Sequence, residues 1–207
     1  MATQRSHVPL ALVVSEDHRT ASDADVARGL MAKEDWALTE AWDRFAPMVL
    51  MTARRVLGSS AESEDIAQEV FCRVFLKAKT LREPDKLRSF VYSVAMHALT
   101  SELRRNKRRA WFHIDAREPL GDLGCEIESR DLLRRFHGLL AKLPARESLV
   151  FVLKRMEGMT VEEIAVVMET SLSTVKRLLA HASERLARSF NADPGLAALL
   201  DDRRGEE

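Results

Sequence analysis

The sequence predicts an all-α protein made of two small helical domains that a flexible linker joins, with a helix-turn-helix in the C-terminal domain. Apolar residues make up 46% of the 207 residues, and they recur at helical spacing through most of the chain. Only 8 glycines and 6 prolines occur, and aromatic residues amount to 6%, which argues against an all-β chain with many tight turns. Helical periodicity fades between residues 116 and 129, where Pro119, Gly121 and Gly124 interrupt it.

These breaks divide the chain into five parts. Residues 1–23 are predicted to be a disordered N-terminal tail, residues 24–115 the first domain, residues 116–129 the linker, residues 130–190 the second domain and residues 191–207 a C-terminal tail. An apolar stretch near the N-terminus is too short to span a bilayer, and it lacks the charged start and small-residue cleavage site of a signal peptide. We therefore expect no membrane insertion.

Composition limits the chemistry. The 32 basic and 32 acidic residues cancel, so any affinity for nucleic acid must come from local basic patches. Cys72 and Cys125 lie far apart without metal-ligand spacing and indicate reduced thiols in a cytoplasmic protein. The histidines are dispersed, and the sequence contains neither a glycine-rich phosphate loop nor a nucleophile elbow. The sequence predicts no enzymatic activity, no metal and no cofactor.

The first domain begins with a helical pattern over residues 24–56, which Pro47 is expected to kink or break. Ser59 and Glu62 are spaced as a capping box for a helix over residues 63–79. Its inward side carries Ile66, Ala67, Val70, Phe71, Val74, Phe75 and Ala78, and its outward side carries Asp65, Gln68, Glu69, Cys72 and Leu76. An outward leucine is either an ordinary surface residue or part of a mixed acidic and apolar surface for a partner protein.

A second long helix is predicted over residues 87–109. Its apolar stripe is Phe90, Val91, Val94, Ala95 and Ala98, and a polar row on another face is formed by Ser93, His97, Thr100 and Arg104. The helix ends with five cations between residues 103 and 109. Cations at a helix end offset the macrodipole, but five exceed that need and favour phosphate binding.

The second domain begins with a helix over residues 130–143 and a helix that Pro144 starts and Gly158 ends. Thr160 and Glu163 form a second capping box, which opens a helix over residues 161–168. After a turn at residues 169–171, Ser171 or Ser173 caps a helix that ends near Phe190. Its inward residues are Val175, Leu178, Leu179, Ala182 and Leu186, and its outward residues are Ser173, Lys176, Arg177, Ala180, His181 and Arg188.

The last two helices have the spacing of a helix-turn-helix, in which Ile164, Ala165 and Met168 face the following helix. Short polar residues at the N-terminus of an exposed helix, with cations beyond them, suit entry into a DNA major groove. An ordinary αα-hairpin in a helical bundle is the alternative, and the outward charge favours DNA binding over it.

Three segments resemble extracytoplasmic-function sigma factors, a subfamily of the sigma-70 family of bacterial RNA polymerase sigma factors. Residues 143–186 read LPARESLVFVLKRMEGMTVEEIAVVMETSLSTVKRLLAHASERL and resemble the DNA-binding domain of that subfamily. The segment SEDIAQEVFCRVF resembles its polymerase-binding helix, and LRSFVYSVAMHALTSELRRNKRR resembles its −10-reading helix. The resemblance covers about residues 35–188 and has both domains in the expected order.

The resemblance implies binding partners and residue roles. The partners would be bacterial core RNA polymerase, promoter DNA and an anti-sigma factor. Core polymerase would be contacted by Asp65, Gln68, Glu69, Arg73 and Leu76. The −10 element would be held by Arg88, Ser93, His97, Thr100, Arg104, Arg105, Lys107, Arg108 and Arg109. The −35 element would be contacted by Ser173, Thr174, Lys176, Arg177 and His181.

The chain departs from the subfamily pattern at several positions. His97 and Ser101 stand where the −10 helix usually has Asn and then Asp, and Glu169 stands where the helix-turn-helix turn usually has Gly. If Glu169 adopts a positive φ, it costs about 1 kcal/mol relative to glycine. Less polar or basic residues than usual occupy the recognition helix at Leu178, Ala180 and Ser183.

The sequence leaves other functions to be tested. A helix-turn-helix regulator explains only the C-terminal half, because it leaves the acidic helix and the basic helix without a role. An adapter that binds polymerase without reading a promoter agrees with the departures from the subfamily pattern. Promoter-dependent transcription distinguishes that adapter from a working sigma factor.

Overall fold

The protein is described by a computed structural model that covers residues 21–111 and 127–191. The described residues fold into α-helices and short 3₁₀ turns without any strand, which confirms the predicted all-α class. The helices are α1 (Asp23–Ala32), α2 (Asp35–Leu57), α3 (Ser60–Lys77), α4 (Leu87–Trp111), α5 (Ile127–Lys142), α6 (Ala145–Arg155), α7 (Val161–Val167) and α8 (Leu172–Asn191). Most of the predicted tails and of the predicted linker lies outside the described residues. Helix α1 begins at Asp23 and α8 ends at Asn191, each one residue inside a predicted tail, and α5 begins three residues before the predicted domain boundary.

The N-terminal domain comprises α1–α4. Ser22 caps α1 in a reciprocal capping box with Asp25, and the chain turns at Lys33, whose φ of 63° is left-handed. Of the kink or break predicted at Pro47, the break is wrong, because the chain breaks at Lys33 and Glu34 and α2 continues through Pro47. Pro47 is exposed, so water can reach the backbone carbonyl that its missing N–H leaves without a helical partner.

The apolar face predicted for α3 is confirmed as the centre of this domain. Ile66, Ala67, Val70, Phe71 and Val74 are buried between α2 and α4. One half of the predicted capping box is present, since the Ser59 hydroxyl accepts a hydrogen bond from the backbone N–H of Glu62. A tilted ring contact between Trp42 and Phe71, with centroids 4.9 Å apart, fixes how α2 lies on α3.

The C-terminal domain comprises α5–α8, and its local signals are confirmed. Gly158 adopts a φ of 71° after α6, and Thr160 and Glu163 form the reciprocal capping box that begins α7. Glu169 has a φ of 47° in the turn between α7 and α8. Ser171, not Ser173, caps α8, because its Oγ accepts a hydrogen bond from the Thr174 N–H at 3.2 Å. Ile164, Val175 and Ala182 are fully buried at the crossing of the last two helices.

The two domains pack on each other and share one hydrophobic core. Helix α4 lies against both α6 and α7, while α2 lies against α5 and α6. This contact explains why α4 buries more than its predicted stripe. The further buried residues of α4 are Leu87, Tyr92, Met96, Leu99, Glu102 and Leu103.

Candidate polymerase and nucleic-acid interface

The outward residues of α3 form one continuous surface, which we call the α3 surface. It consists of Asp65, Gln68, Glu69, Arg73 and Leu76. At about 100° per residue these positions fall on one side of the helix. Arg73 pairs with Glu69 one turn away, and Leu76 is 71% exposed. The exposed carboxylates of Asp65 and Glu69 repel DNA phosphates, so the α3 surface is a candidate site for a protein partner rather than for DNA.

Helix α8 presents the charged face that the sequence predicts. Lys176, Arg177 and His181 are exposed, as are Ala180 and Arg188 farther along the same side. The opposite side is anchored by buried Val175 and Ala182. Because the buried side packs on α6 and α7, the outward side is held rigidly where a DNA groove could receive it.

The first turn of α8 is built around the Ser171 cap. The Ser171 Oγ lies 3.0 Å from the Ser173 Oγ and 2.8 Å from the Thr174 Oγ1. The two predicted reading hydroxyls are therefore part of one hydrogen-bonded cluster at the helix N-terminus, where backbone N–H groups also favour phosphate. Leu172 is exposed beside them and was not among the predicted contact residues. An apolar residue in that turn suits contact with a thymine methyl group.

His181 is held toward the domain core more than its predicted role implies. Its Nδ1 lies 3.9 Å from the Oε1 of Glu147, a buried carboxylate on α6. The Arg185 Nε lies 3.2 Å from the other oxygen of the same carboxylate. The Glu147 side chain is 7% exposed, and its carboxylate lies close to both residues along one edge of α8.

The polar row of α4 is not uniformly exposed. His97 and Arg104 are exposed, whereas Ser93 and Thr100 are half-buried. The Thr100 hydroxyl donates to the Met96 carbonyl at 2.7 Å. The row is continuous along the helix, as the 3–4 spacing predicts, but part of it lies beneath other atoms of the protein.

Some of the cations at the end of α4 are exposed, and others contact groups of the protein. Arg104 and Arg108 are exposed on the side of the polar row. Arg105 turns away and pairs with buried Glu102, with Nη2 and Oε2 2.5 Å apart. Lys107 donates to the Lys142 carbonyl of α5 at 3.2 Å, and burial lowers the pKa of this amine. Arg109 lies on the side of Arg105 by helical geometry.

Arg88 also stands apart from the polar row. It lies about 160° around α4 from Arg104, and its guanidinium carbon is 5.9 Å from the centre of the Tyr92 ring. Burial raises the pKa of Tyr92, and the Glu157 and Glu163 carboxylates add to that effect. Of the residues predicted to hold the −10 strand, the structure thus brings together Ser93, His97, Thr100, Arg104 and Arg108.

Comparison with known proteins tests the family that this arrangement indicates. Residues 41–109 match the family described as Sigma-70 region 2, and residues 133–186 match the family described as Sigma-70, region 4. The ferric citrate uptake sigma factor FecI of Escherichia coli is 32% identical over 136 residues, which cover 63% of this chain and 77% of the relative. The chain is an extracytoplasmic-function sigma factor of the sigma-70 family. The predicted family and function are confirmed.

Further relatives and solved structures agree with this sigma factor's fold. The ECF RNA polymerase sigma factor SigW of Bacillus subtilis is 24% identical over 74% of this chain and 89% of the relative. The structure of CnrH in complex with the cytosolic domain of CnrY matches with a TM-score of 0.58 at 20% identity, covering 83% of this chain and 98% of that one. The sigma factor RpoE in complex with the anti-sigma factor NepR, from Bartonella quintana, matches with a TM-score of 0.55 at 17% identity, covering 75% and 97%.

The family assigns a task to each domain of this sigma factor. Region 2 contains the α3 surface and the polar row of α4, and region 4 contains the helix-turn-helix. The protein associates with RNA polymerase and directs transcription initiation at promoters. Among residues 21–111 and 127–191, no helix is both long and apolar enough to cross a membrane, and no cluster of side chains suits a metal ion.

Proposed function

We propose that this sigma factor docks on core RNA polymerase through the α3 surface, holds the −10 strand with the polar row of α4 and reads the −35 duplex with α8. One observation supports the proposal most strongly: the cations and short polar groups of α8 are exposed on the side of the helix opposite its buried side. Such a helix has no structural need for an outward cationic face, whereas a DNA groove attracts one.

Two parts of α8 would contact the −35 element: its first turn and the exposed side one turn farther along. Ser173, Thr174 and Leu172 lie in the turn that would enter the groove, and Arg177 lies one turn farther on the exposed side. Arginine recognises guanine with two hydrogen bonds, while apolar groups contact thymine methyls. Lys176 contacts phosphate and fixes the register of the helix on the duplex.

The −10 strand meets a narrower set of residues than the sequence predicts. Ser93, His97, Thr100, Arg104 and Arg108 share one side of α4, so one single strand can follow them. Arg88, Arg105 and Arg109 lie away from that side. Lys107 lies only about 20° around the helix from Thr100, but its amine donates to the Lys142 carbonyl. These four residues act in packing or on more distant phosphates. The two DNA-binding parts are individually weak and gain affinity from their connection through one chain.

The protein acts in the cytoplasm by binding alone and catalyses no reaction itself. An anti-sigma factor is its proposed regulator, in keeping with the structurally similar complex of the sigma factor RpoE with the anti-sigma factor NepR. The carboxylates near the N-terminal end of the α3 surface and the exposed leucine near its C-terminal end suit a protein partner whose contact surface is basic at one end and apolar at the other.

The experiment is transcription in vitro with purified bacterial core polymerase and fragmented genomic DNA from the source organism. We expect discrete new start sites only when the sigma factor is added, and these define the promoter. Core binding without new start sites would identify the adapter function instead.

Charge reversal tests the docking surface in the same assay. Asp65→Lys combined with Glu69→Lys should abolish co-purification with core polymerase. Asp35→Lys combined with Asp43→Lys makes the same change in charge on α2, away from the α3 surface, and should leave core binding intact. Equal binding by both double variants would remove the α3 surface from the proposal.

A further inference from the structure

We propose that Glu147 is a positioning residue for −35 recognition: its buried carboxylate determines which ring nitrogen of His181 carries the hydrogen, so that the neutral imidazole presents Nε2 to the duplex as a hydrogen-bond acceptor. In the major groove such an acceptor recognises adenine or cytosine through the exocyclic amino group. The inference rests on the proposed role of α8 in reading the −35 element, and the positions of Glu147 and His181 support it.

The Glu147 carboxylate is buried where α6 packs on α8. It lies in the first turn of α6, where the helix dipole favours a negative charge. The Arg185 Nε lies 3.2 Å from its Oε2, yet within the described part of the chain no group meets this buried oxygen with hydrogen-bond geometry. Buried carboxylate oxygens normally accept hydrogen bonds. Glu147 therefore retains a strong preference for N–H groups on the facing side of α8.

The His181 ring turns its Nδ1 toward the other oxygen of this carboxylate. The Nδ1 lies 3.9 Å from the Glu147 Oε1, which is longer than a hydrogen bond, so the carboxylate acts on the ring electrostatically. An N–H group directed at an anion is attracted to it, whereas a nitrogen lone pair in the same place is repelled. An ionised carboxylate has no hydrogen to donate. The neutral ring therefore carries its hydrogen on Nδ1.

The Nε2 of His181 lies on the edge of the ring that faces away from Glu147. The side chain is 51% exposed, and it lies about one helical turn beyond Arg177 on the outward side of α8. Among residues 21–111 and 127–191, no hydrogen bond or ion pair engages this nitrogen. A neutral ring with its hydrogen on Nδ1 has a lone pair on Nε2. This atom can therefore accept a hydrogen bond from DNA and cannot donate one.

The bases of the major groove differ in what they offer to such an acceptor. Adenine N6 and cytosine N4 are donors, whereas guanine offers only the acceptors O6 and N7, and thymine offers the acceptor O4 and a methyl group. Arg177 has the opposite preference, because a guanidinium group only donates and suits guanine. The two side chains on this side of α8 would therefore read different bases: guanine at Arg177, and adenine or cytosine at His181.

A purely structural role for Glu147 leads to a different expectation. If the carboxylate only attaches α6 to α8 through Arg185, its replacement lowers stability and weakens binding to every duplex alike. If it positions His181, its replacement changes the preference at one base pair. Arg185→Gln is the matched control, because it removes the charge beside Oε2 and leaves the carboxylate that faces His181.

The first test measures the tautomer of His181 without DNA. The full-length protein is labelled with nitrogen-15 in its histidines, and long-range nitrogen–proton correlations are recorded by NMR at about pH 8, where histidine is ordinarily neutral. His181→Gln identifies the signals of this ring. We expect the Nδ1–H form in the unaltered protein and in Arg185→Gln. Glu147→Leu, which removes both acceptor oxygens, should shift the ring toward the Nε2–H form that imidazole favours in water.

Two outcomes of this measurement would overturn the proposal. The Nε2–H form in the unaltered protein would show that the carboxylate does not determine the tautomer, and this result needs no altered protein. An Nδ1–H form that persists in Glu147→Leu would show that something other than Glu147 determines it. Circular dichroism of Glu147→Leu and Arg185→Gln confirms that both variants remain folded.

The second test removes single amino groups from the −35 duplex that transcription identifies. Adenine is replaced by purine, or cytosine by 2-pyrimidinone, one base at a time, and affinity is measured by fluorescence anisotropy. At one position the deletion should weaken binding of the unaltered protein and of Arg185→Gln about fivefold, and binding of His181→Ala and Glu147→Leu much less. The absence of any His181-dependent loss, or a full loss in Glu147→Leu, would overturn the proposal. Failure of the proposed function looks different, because Arg177→Ala would then bind the duplex as tightly as the unaltered protein.

Discussion

The two helices proposed to contact DNA differ in how much of their circumference is buried. Helix α8 buries one side through Val175, Ala182 and Leu186 and leaves the other exposed. Helix α4 buries two adjoining faces, because its own domain packs on one and the C-terminal domain approaches another. A helix that packs against two bodies carries apolar residues most of the way round. A DNA-contacting surface is therefore easier to recognise on a helix with one neighbour than on a helix with two.

The largest expected change is a loss of stability when the second buried face of α4 is altered. Leu99→Ala should lower the free energy of unfolding by about 2–5 kcal/mol, because Leu99 is fully buried and its removal leaves a cavity. Leu179→Ala removes the same atoms from α8, where the side chain is only half-buried, and should cost less. Urea unfolding followed by circular dichroism measures both. Equal losses would contradict the proposed difference in burial between the helices.

The difference between the helices also decides what the sequence could predict. The sequence predicts the helix-turn-helix almost residue by residue, since its capping box and turn are local and its buried side packs on α6 and α7 of the same domain. The inward set Ile164, Ala165 and Val175 needed no knowledge of the other domain. Glu169 was even identified as a residue at risk of positive φ, and the structure places it at 47°.

The second face of α4 could not be predicted in the same way. Tyr92, Met96, Leu99 and Leu103 are spaced at helical intervals, but the apolar stripe at Val91, Val94 and Ala98 already accounted for the core of the first domain. Nothing local indicates that a distant segment packs on the remaining side. The partners of Lys107 and Arg55 were hidden for the same reason, because they lie 35 and 102 residues farther along the chain.

Pro47 shows the opposite limitation. A proline within a helical pattern predicts a break because it removes a backbone hydrogen bond and crowds the preceding turn. The surrounding residues Phe45, Val49 and Ala53 are buried along one face of α2, and their packing outweighs the local cost. The chain instead breaks at Lys33, which offers no comparable signal in the sequence.

A smaller change, in affinity for the −35 duplex, shows whether α8 contacts DNA bases directly. Arg177→Ala should weaken binding of the free protein to the −35 duplex by about 1–3 kcal/mol, because an arginine that contacts a base makes two hydrogen bonds there. Arg188→Ala removes the same charge near the far end of the helix, where Arg188 pairs with Glu184 at 3.1 Å. It should change the affinity much less. Fluorescence anisotropy with a labelled duplex measures both, and equal losses would reduce Arg177 to a general electrostatic role.

The smallest expected change follows from altering the N-terminal turn of α8, which begins differently from that of α4. Helix α4 follows directly from a 3₁₀ turn at Pro84–Lys86, whereas α8 depends on the Ser171 side chain, whose Oγ accepts from the Thr174 N–H. Ser171→Ala should lower the free energy of unfolding by about 1 kcal/mol and should also weaken −35 binding, since the loosened turn carries Ser173 and Thr174. Ser189→Ala near the other end of α8 serves as the control and should change neither quantity appreciably.

Measuring both unfolding and duplex affinity of Ser171→Ala separates the role of the cap in stability from its role in DNA recognition. If urea unfolding shows the loss while duplex affinity stays unchanged, the first turn of α8 does not enter the groove, and recognition must rest on Lys176 and Arg177 farther along the helix. If both quantities fall together and the Ser189→Ala control stays unchanged, the cap contributes to promoter recognition by ordering the hydroxyl groups around it. That result would make the N-terminal turn, rather than the cationic side alone, the feature that distinguishes α8 from α4.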